Sequence, residues 1–201
     1  MSRSRFFVVL ATIVVLAGVL RFAWPTADPP VAGNVGIVWH DEGAWTHNAR
    51  NRVLWGTWRT DDWNPVFLAP VFTALEYASF SAFGVGTWQA RVVPAVSGLA
   101  SVVLLAIGLA AISGRRVALV GGALLATNYG FVMWNRAALM ESTMTAAMVA
   151  AWCAYALGER RPQWGLLAGA AAAAAWFTKA SAAFFVAAIA VDAVMAVNLG
   201  G

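Results

Sequence analysis

Two adjacent carboxylates, Asp41 and Glu42, are the residues of this sequence best suited to chemistry. A carboxylate beside a reacting hydroxyl can accept its proton, and a second carboxylate can orient the first or raise its pKa through like-charge repulsion. The alternative is a solvated surface pair. Because the pair lies among tryptophans just after a first apolar segment, we favour a functional pair with Asp41 as the candidate base.

Later in the chain, Arg136, Glu141 and Lys179 could supply the remaining charges of a site. Lys179 is the single lysine and interrupts an apolar stretch, where it would either bind a phosphate or extend its ammonium group to the membrane interface. Arg136 and Glu141 share one polar connection. They would either form a mutual salt bridge or serve a site that binds an anion.

Two further acids are expected to have structural roles. Asp62 is expected to cap a helix rather than to catalyse, and Glu76 is expected to pair with an arginine.

The composition indicates an integral membrane protein. Of the 201 residues, 61% are hydrophobic and 11% are charged, against about 45–50% and about 25% in soluble domains. The apolar residues form long runs, as a bilayer requires. The basic residues are spread without a basic block, which argues against nucleic acid as a partner. Cys153 is the single cysteine, which excludes an intrachain disulfide and a cysteine metal cluster.

Six apolar segments are predicted to span the membrane, at 6–20, 92–112, 117–134, 144–157, 164–177 and 182–197. The first follows Arg3 and Arg5 and shows no clear cleavage site, so we expect an uncleaved anchor rather than a signal peptide. Residues 28–64 carry five tryptophans, which favour the interface. A helix from Glu42 to about Trp55 is predicted there. Asn64-Pro65 predicts the start of another helix, ending near Phe83.

Charge decides whether residues 65–83 also span. If they lie in the interface, Arg3, Arg5 and the pairs Arg115-Arg116 and Arg160-Arg161 all face the cytoplasm, as the positive-inside rule favours. If they span, both arginine pairs lie outside and the bilayer separates Glu141 from Asp41. We therefore expect a cytoplasmic N-terminus, six spans, and a first extracytoplasmic loop over 25–91 that contains interfacial helices.

An Asp-Glu pair at the start of a first extracytoplasmic loop resembles the GT-C glycosyltransferase superfamily, in particular protein O-mannosyltransferases and lipid A aminoarabinose transferases. Further motifs follow in the order of the family: Ala49-Arg50, Trp55-Gly56-Thr57-Trp58, Asn64-Pro65, Pro70, Phe83-Gly84, Ala90-Arg91, Asn135-Arg136 with Glu141, and Phe177-Thr178-Lys179. Two positions depart from the pattern, since Glu141 stands where many relatives have Asp, and Ala180 follows Lys179 where they have Gly.

The resemblance implies an all-α GT-C-like membrane bundle that transfers a sugar from a polyprenyl-phosphate donor with inversion. It makes Asp41 the base and Glu42 its catalytic neighbour, places the donor phosphate at Lys179 and Arg136, and assigns Glu141 and Asp62 to the sugar, the acceptor or a metal. A divalent cation, Mg²⁺ or Mn²⁺, stays open as a cofactor. The implied location is the plasma membrane, with the active site extracytoplasmic.

Two other classes of function stay open at this point. Relatives of this kind are longer, so residues 1–201 are expected to form one transmembrane module without the C-terminal part of those relatives. The chain could then be a non-catalytic or truncated module that binds a polyprenyl-phosphate lipid. A transporter ranks last because its charges should lie near the membrane midplane, whereas these cluster at one face. The sequence leaves the sugar open, and the acceptor could be a protein, a lipid or a glycan.

Overall fold

The computed structural model describes residues 1–27, 40–62, 64–65, 67, 69–158, 161 and 163–199. Within these residues the chain is all-helical, as predicted, and contains no strand. The helices are α1 Arg3–Phe22, α2 His40–Trp55, α3 Pro70–Phe83, α4 Thr87–Ile112, α5 Arg115–Thr127, α6 Tyr129–Asn135, α7 Met140–Gly158, α8 Gln163–Thr178 and α9 Ala183–Leu199, with a 3-10 turn at Ala180–Ala182 before α9.

Helix α4 forms the centre of the bundle and packs against α1, α3, α5 and α7. Small residues let its backbone approach its neighbours closely, which is how helices pack in lipid. A Cβ on Gly108 would overlap the ring of Trp152 on α7. On the other side of α4, Val102 is buried against Ala17 of α1 and Ala126 of α5.

Two helices, α1 and α4, are long and apolar enough to cross a membrane, and the bent pair α5–α6 could form a third span. The predicted integral membrane class is confirmed, while the number of six spans stays a prediction. The segment 117–134, predicted as one helix, is two helices bent by 62°. The bend lies at Asn128, whose side chain accepts a hydrogen bond from the Phe131 amide at 2.8 Å and so caps α6.

The prediction that a helix begins at Asn64-Pro65 is wrong, because α3 begins at Pro70. Asn64 instead pairs with Asp61 through the backbone and donates its side-chain amide to the Ala44 carbonyl at 3.1 Å, which holds this segment against α2. Helix α3 has 14 residues, about 21 Å at 1.5 Å per residue. This is shorter than a hydrocarbon core of about 30 Å, and the interfacial position of residues 65–83 stays a prediction.

Candidate active site

Most of the predicted site residues lie at one end of the bundle: Asp41, Glu42, Arg136, Glu141 and Lys179. Asp62 is not among them and lies in a turn after α2. This end, called the Glu42 end below, collects the last residues of α1, α6 and α8 and the first residues of α2, α4 and α7. Glu42 bonds Arg91 of α4, Arg136 bonds the end of α1, and Lys179 bonds Glu141 of α7. The opposite end, called the Arg115 end, holds the start of α1 and the α4–α5 connection, where Arg115 contacts Met1.

Glu42 is the buried centre of the Glu42 end. The residue is 5% exposed, and its carboxylate accepts bonds from Nε and Nη2 of Arg91 at 2.8 and 2.9 Å. A third bond, at 2.6 Å, comes from the backbone amide of Ala138. Arg91 also donates to the Pro25 carbonyl at 2.8 Å. One carboxylate therefore joins α2, α4 and the α6–α7 connection, and a buried ion pair needs such additional bonds to persist.

Asp41 lies beside Glu42 in the first turn of α2 but is exposed. Successive residues of a helix point about 100° apart, so Glu42 faces the bundle while Asp41 faces outward. Asp41 is thus the exposed carboxylate of the pair, and both oxygens of Glu42 accept bonds from protein donors.

Lys179 follows the last residue of α8 and forms an ion pair with Glu141 in the first turn of α7. Both side chains are about one-third exposed, at 33% for Lys179 and 34% for Glu141. The second oxygen of Glu141 is buried and accepts no hydrogen bond from the described residues. The pair thus fastens α7 to the end of α8 while its ammonium group stays reachable from outside.

Arg136 binds the C-terminal end of α1 through backbone carbonyls. Its guanidinium donates to the carbonyls of Leu20 at 2.8 Å and Trp24 at 3.0 Å. Cations at a helix C-terminus meet the negative end of the helix dipole, which explains why the side chain lies there. The ion-pair partner of Glu141 is Lys179, so the mutual Arg136–Glu141 pair considered from sequence is not the pair that anchors α7.

Beneath Arg136, a buried polar cluster joins α1, α6 and α7. Arg21, 1% exposed, donates through Nε to Oδ1 of Asn135 at 2.9 Å, and the Asn135 amide donates to Ser142 at 2.9 Å. The cluster fits because Gly98 of α4 has no side chain. A Cβ there would overlap Oδ1 of Asn135 and lie 2.9 Å from Nε of Arg21.

Asp62 lies in an exposed turn after α2. Together with Arg59, Thr60 and Asp61 it lines a cavity of about 340 Å³. Its neighbour Asp61 is tied to α2, because its carboxylate accepts from Arg50 at 2.5 Å and from Asn51 at 2.8 Å. The structure therefore places Asp62, unlike Asp61, where a ligand can approach.

Glu76 is the unexpected group of this region. It is fully buried on α3, and neither of its carboxylate oxygens accepts a hydrogen bond from the described residues. The prediction that Glu76 pairs with an arginine is wrong, since the buried Arg91 bonds Glu42 instead. Burial raises the pKa of Glu76 well above its usual range, and the negative charge of Glu42 raises it further.

A cavity of about 240 Å³ opens beside Glu42, between α2, the end of α3 and the start of α4. Its lining is mixed, with the polar residues Glu42, Thr46, Arg50 and Thr87 and the apolar residues Phe80 and Val85. An opening of this size, with a few polar groups on an apolar wall, suits a small polar ligand.

The family model described as dolichyl-phosphate-mannose-protein mannosyltransferase matches residues 67–199, more than half of the chain. The chain belongs to this family. No curated protein and no solved structure matches the chain.

Membership in the dolichyl-phosphate-mannose-protein mannosyltransferase family confirms the resemblance to GT-C membrane glycosyltransferases. It makes the chain a membrane glycosyltransferase of mannosyltransferase type. The matched region includes Glu76, Arg91, Arg136, Glu141 and Lys179, and the Asp41–Glu42 pair precedes it. The apolar helices and the family together confirm a membrane location.

The described residues of this family member do not form a metal site. No three His, Cys, Asp or Glu side chains lie together among them. Glu141, one of the acids considered as a ligand, already holds the ammonium group of Lys179 where a cation would bind.

The contacts and burial of several residues of this site were not predicted from the sequence. Arg91 was visible within the Ala90-Arg91 motif, but nothing in the sequence linked it to Glu42, 49 residues away. The burial of Glu76 and the Arg21–Asn135 bond also depend on packing between distant helices. Trp39, Trp63 and Arg160, for which interfacial or cytoplasmic positions were predicted, lie outside the described residues.

Proposed function

We propose that this chain transfers a sugar from a polyprenyl-phosphate donor to an acceptor at the Glu42 end of the bundle, on the extracytoplasmic face and with inversion. The observation that carries the proposal is the convergence of Asp41–Glu42, Arg136, Glu141 and Lys179 at one end of a bundle from this family.

In the proposed reaction, Asp41 accepts the proton of the acceptor hydroxyl, because it is the exposed carboxylate of the pair. The acceptor oxygen then bonds the anomeric carbon as the bond from that carbon to the phosphate oxygen breaks. The electron pair of the broken bond leaves with the polyprenyl phosphate as a stabilised anion, so no general acid is needed. Attack opposite the leaving phosphate inverts the anomeric centre.

The leaving phosphate gains negative charge and needs cations. Lys179 and Arg136 are the candidates, and the partly exposed ion pair of Lys179 with Glu141 is consistent with an ammonium group that can turn toward a ligand. Glu42 is assigned a positioning role, since its bonds to Arg91 and Ala138 fix the first turn of α2 and with it Asp41. Asp62 is assigned to the acceptor.

The test is transfer by the full chain in liposomes from a radiolabelled polyprenyl-phosphate mannose to water or to a peptide, lipid or glycan acceptor. Asp41→Asn should reduce the rate about 10²–10⁴-fold, the usual effect of losing a general base. The matched control is Asp192→Asn, which changes an acid on α9 bonded to Tyr155 and should leave the rate unchanged. Specific donor binding without transfer to any acceptor would favour the non-catalytic alternative.

A further inference from the structure

The Arg115 end of the bundle carries positive charge that the described part of the chain does not neutralise. Arg3 and Arg5 at the start of α1 and Arg115 and Arg116 at the start of α5 are all exposed. The ion pairs of the described residues involve Arg50, Arg91 and Lys179, so none of these four arginines has a carboxylate partner there.

Two neighbouring cavities open between these helix ends. The larger, about 620 Å³, is lined by Arg5 and Arg116 together with Met1, Ser4, Val8 and Val9. The smaller, about 350 Å³, shares Met1 and Arg116 and adds the α4–α5 connection. Among the residues that the structure describes, no acid lines either cavity. The larger one is therefore lined by two arginines and by apolar side chains of α1.

Helix α5 begins in a way that favours an anion. Its first two residues are Arg115 and Arg116, although the positive end of the helix dipole disfavours cations there. The preceding residue, Gly114, has no side chain that could cap the first amides. An anion at this point would compensate the arginines and the helix dipole together.

We propose that the larger cavity binds one anionic glycerophospholipid, with its phosphate between Arg5 and Arg116 and an acyl chain along Val8 and Val9. The apolar wall decides for a lipid over a free phosphate. Val8 is 66% exposed and Val9 is 42% exposed, and both belong to α1, a candidate membrane span. Basic pockets at the ends of membrane helices are suited to such headgroups. This lipid site is separate from the sugar-transfer site at the Glu42 end and does not depend on the proposed reaction.

The test counts lipids that remain bound to the full chain. The protein is reconstituted in nanodiscs of phosphatidylcholine with 10 mol% phosphatidylglycerol (about one lipid in ten) and released for native mass spectrometry. Arg116→Gln should weaken retention of one phosphatidylglycerol molecule about fivefold, the usual effect of one arginine near an anionic surface. Arg116→Lys keeps the charge and should retain the lipid. The matched control is Arg3→Gln, since Arg3 lies at the same end, over the Phe7 ring, but lines neither cavity.

The outcomes separate a lipid site from general attraction to an anionic surface. Equal losses in Arg116→Gln and Arg3→Gln would overturn the site, as would equal retention of phosphatidylcholine and phosphatidylglycerol. A second arm adds inorganic phosphate to the protein in detergent and follows thermal stability. Protection by inorganic phosphate equal to that by phosphatidylglycerol would overturn the lipid as occupant. If Arg116→Gln does not fold, Arg5→Gln tests the same cavity from α1.

Discussion

The buried pair of Glu42 and Arg91 allows a quantitative prediction about stability. Arg91→Met removes two charge-assisted hydrogen bonds to Glu42, at 2.8 and 2.9 Å, and one to the Pro25 carbonyl. It leaves Glu42, 5% exposed, with the Ala138 amide as its remaining donor at this position. Breaking one side of a buried pair costs about 3–5 kcal/mol because the other charge stays buried.

In a chain of this length such a loss corresponds to a fall in melting temperature of about 6–20 °C. The assay is thermal unfolding of the purified protein in detergent, followed by tryptophan fluorescence. The double variant Glu42→Gln/Arg91→Met should be clearly more stable than Arg91→Met, because no uncompensated charge remains. The control, Arg59→Met, removes an exposed arginine that stacks on Trp55 and should shift the melting temperature little. A fall in melting temperature under 2 °C in Arg91→Met, or a double variant no more stable than Arg91→Met, would mean that Arg91 does not compensate a buried charge on Glu42.

Three further predictions follow from other parts of the molecule. Glu76→Gln should stabilise the protein more at pH 8 than at pH 5. The pKa of Glu76 is raised in the folded state, so the buried acid lowers the free energy of unfolding as the pH rises above the unfolded pKa of about 4.3. A gain in stability that is larger at acid pH would contradict this. Gly98→Ala should cost about 1–3 kcal/mol by overlap with Asn135, whereas Gly18→Ala, with open space around its Cβ, should be neutral or stabilising in the same melting assay. Lys179→Met should raise the donor KM at least tenfold in the transfer assay while Lys179→Arg largely keeps it, and equal KM values for both would remove Lys179 from the phosphate site.

The sequence predicted the elements of this fold better than their boundaries. Long apolar runs have one physical explanation, so the membrane class and most helices followed from them directly. The start of α3 was misplaced because Asn64-Pro65 has the residue types of a helix start, while tertiary bonds to Ala44 and Asp61 hold it in a turn. The break at Asn128 was missed because the residues on both sides are apolar and helix-compatible.

For the candidate site, the residues were predicted from the sequence but the contacts between them were not. The family resemblance, together with charges in apolar surroundings, grouped Asp41, Glu42, Arg136, Glu141 and Lys179, and the structure brings the helix ends that carry them together. Their pairing was not visible from sequence, because it depends on which side chain faces the bundle.

Asp41 and Glu42 differ by one residue and yet one is exposed and the other buried. Glu76 illustrates the limit most clearly, since nothing local distinguishes a buried acid without a partner from one that is paired.

The proposed reaction requires the donor phosphate to bind at the Glu42 end, between cations from two different helix ends. Photo-crosslinking of the full chain with a polyprenyl phosphate that carries a diazirine next to the phosphate, followed by peptide mapping, locates that phosphate. We expect crosslinks within residues 136–141 and next to Lys179, and fewer of them in Lys179→Met. Crosslinks confined to the Arg115–Arg116 connection would place the donor at the opposite end of the bundle and rule out the proposed site.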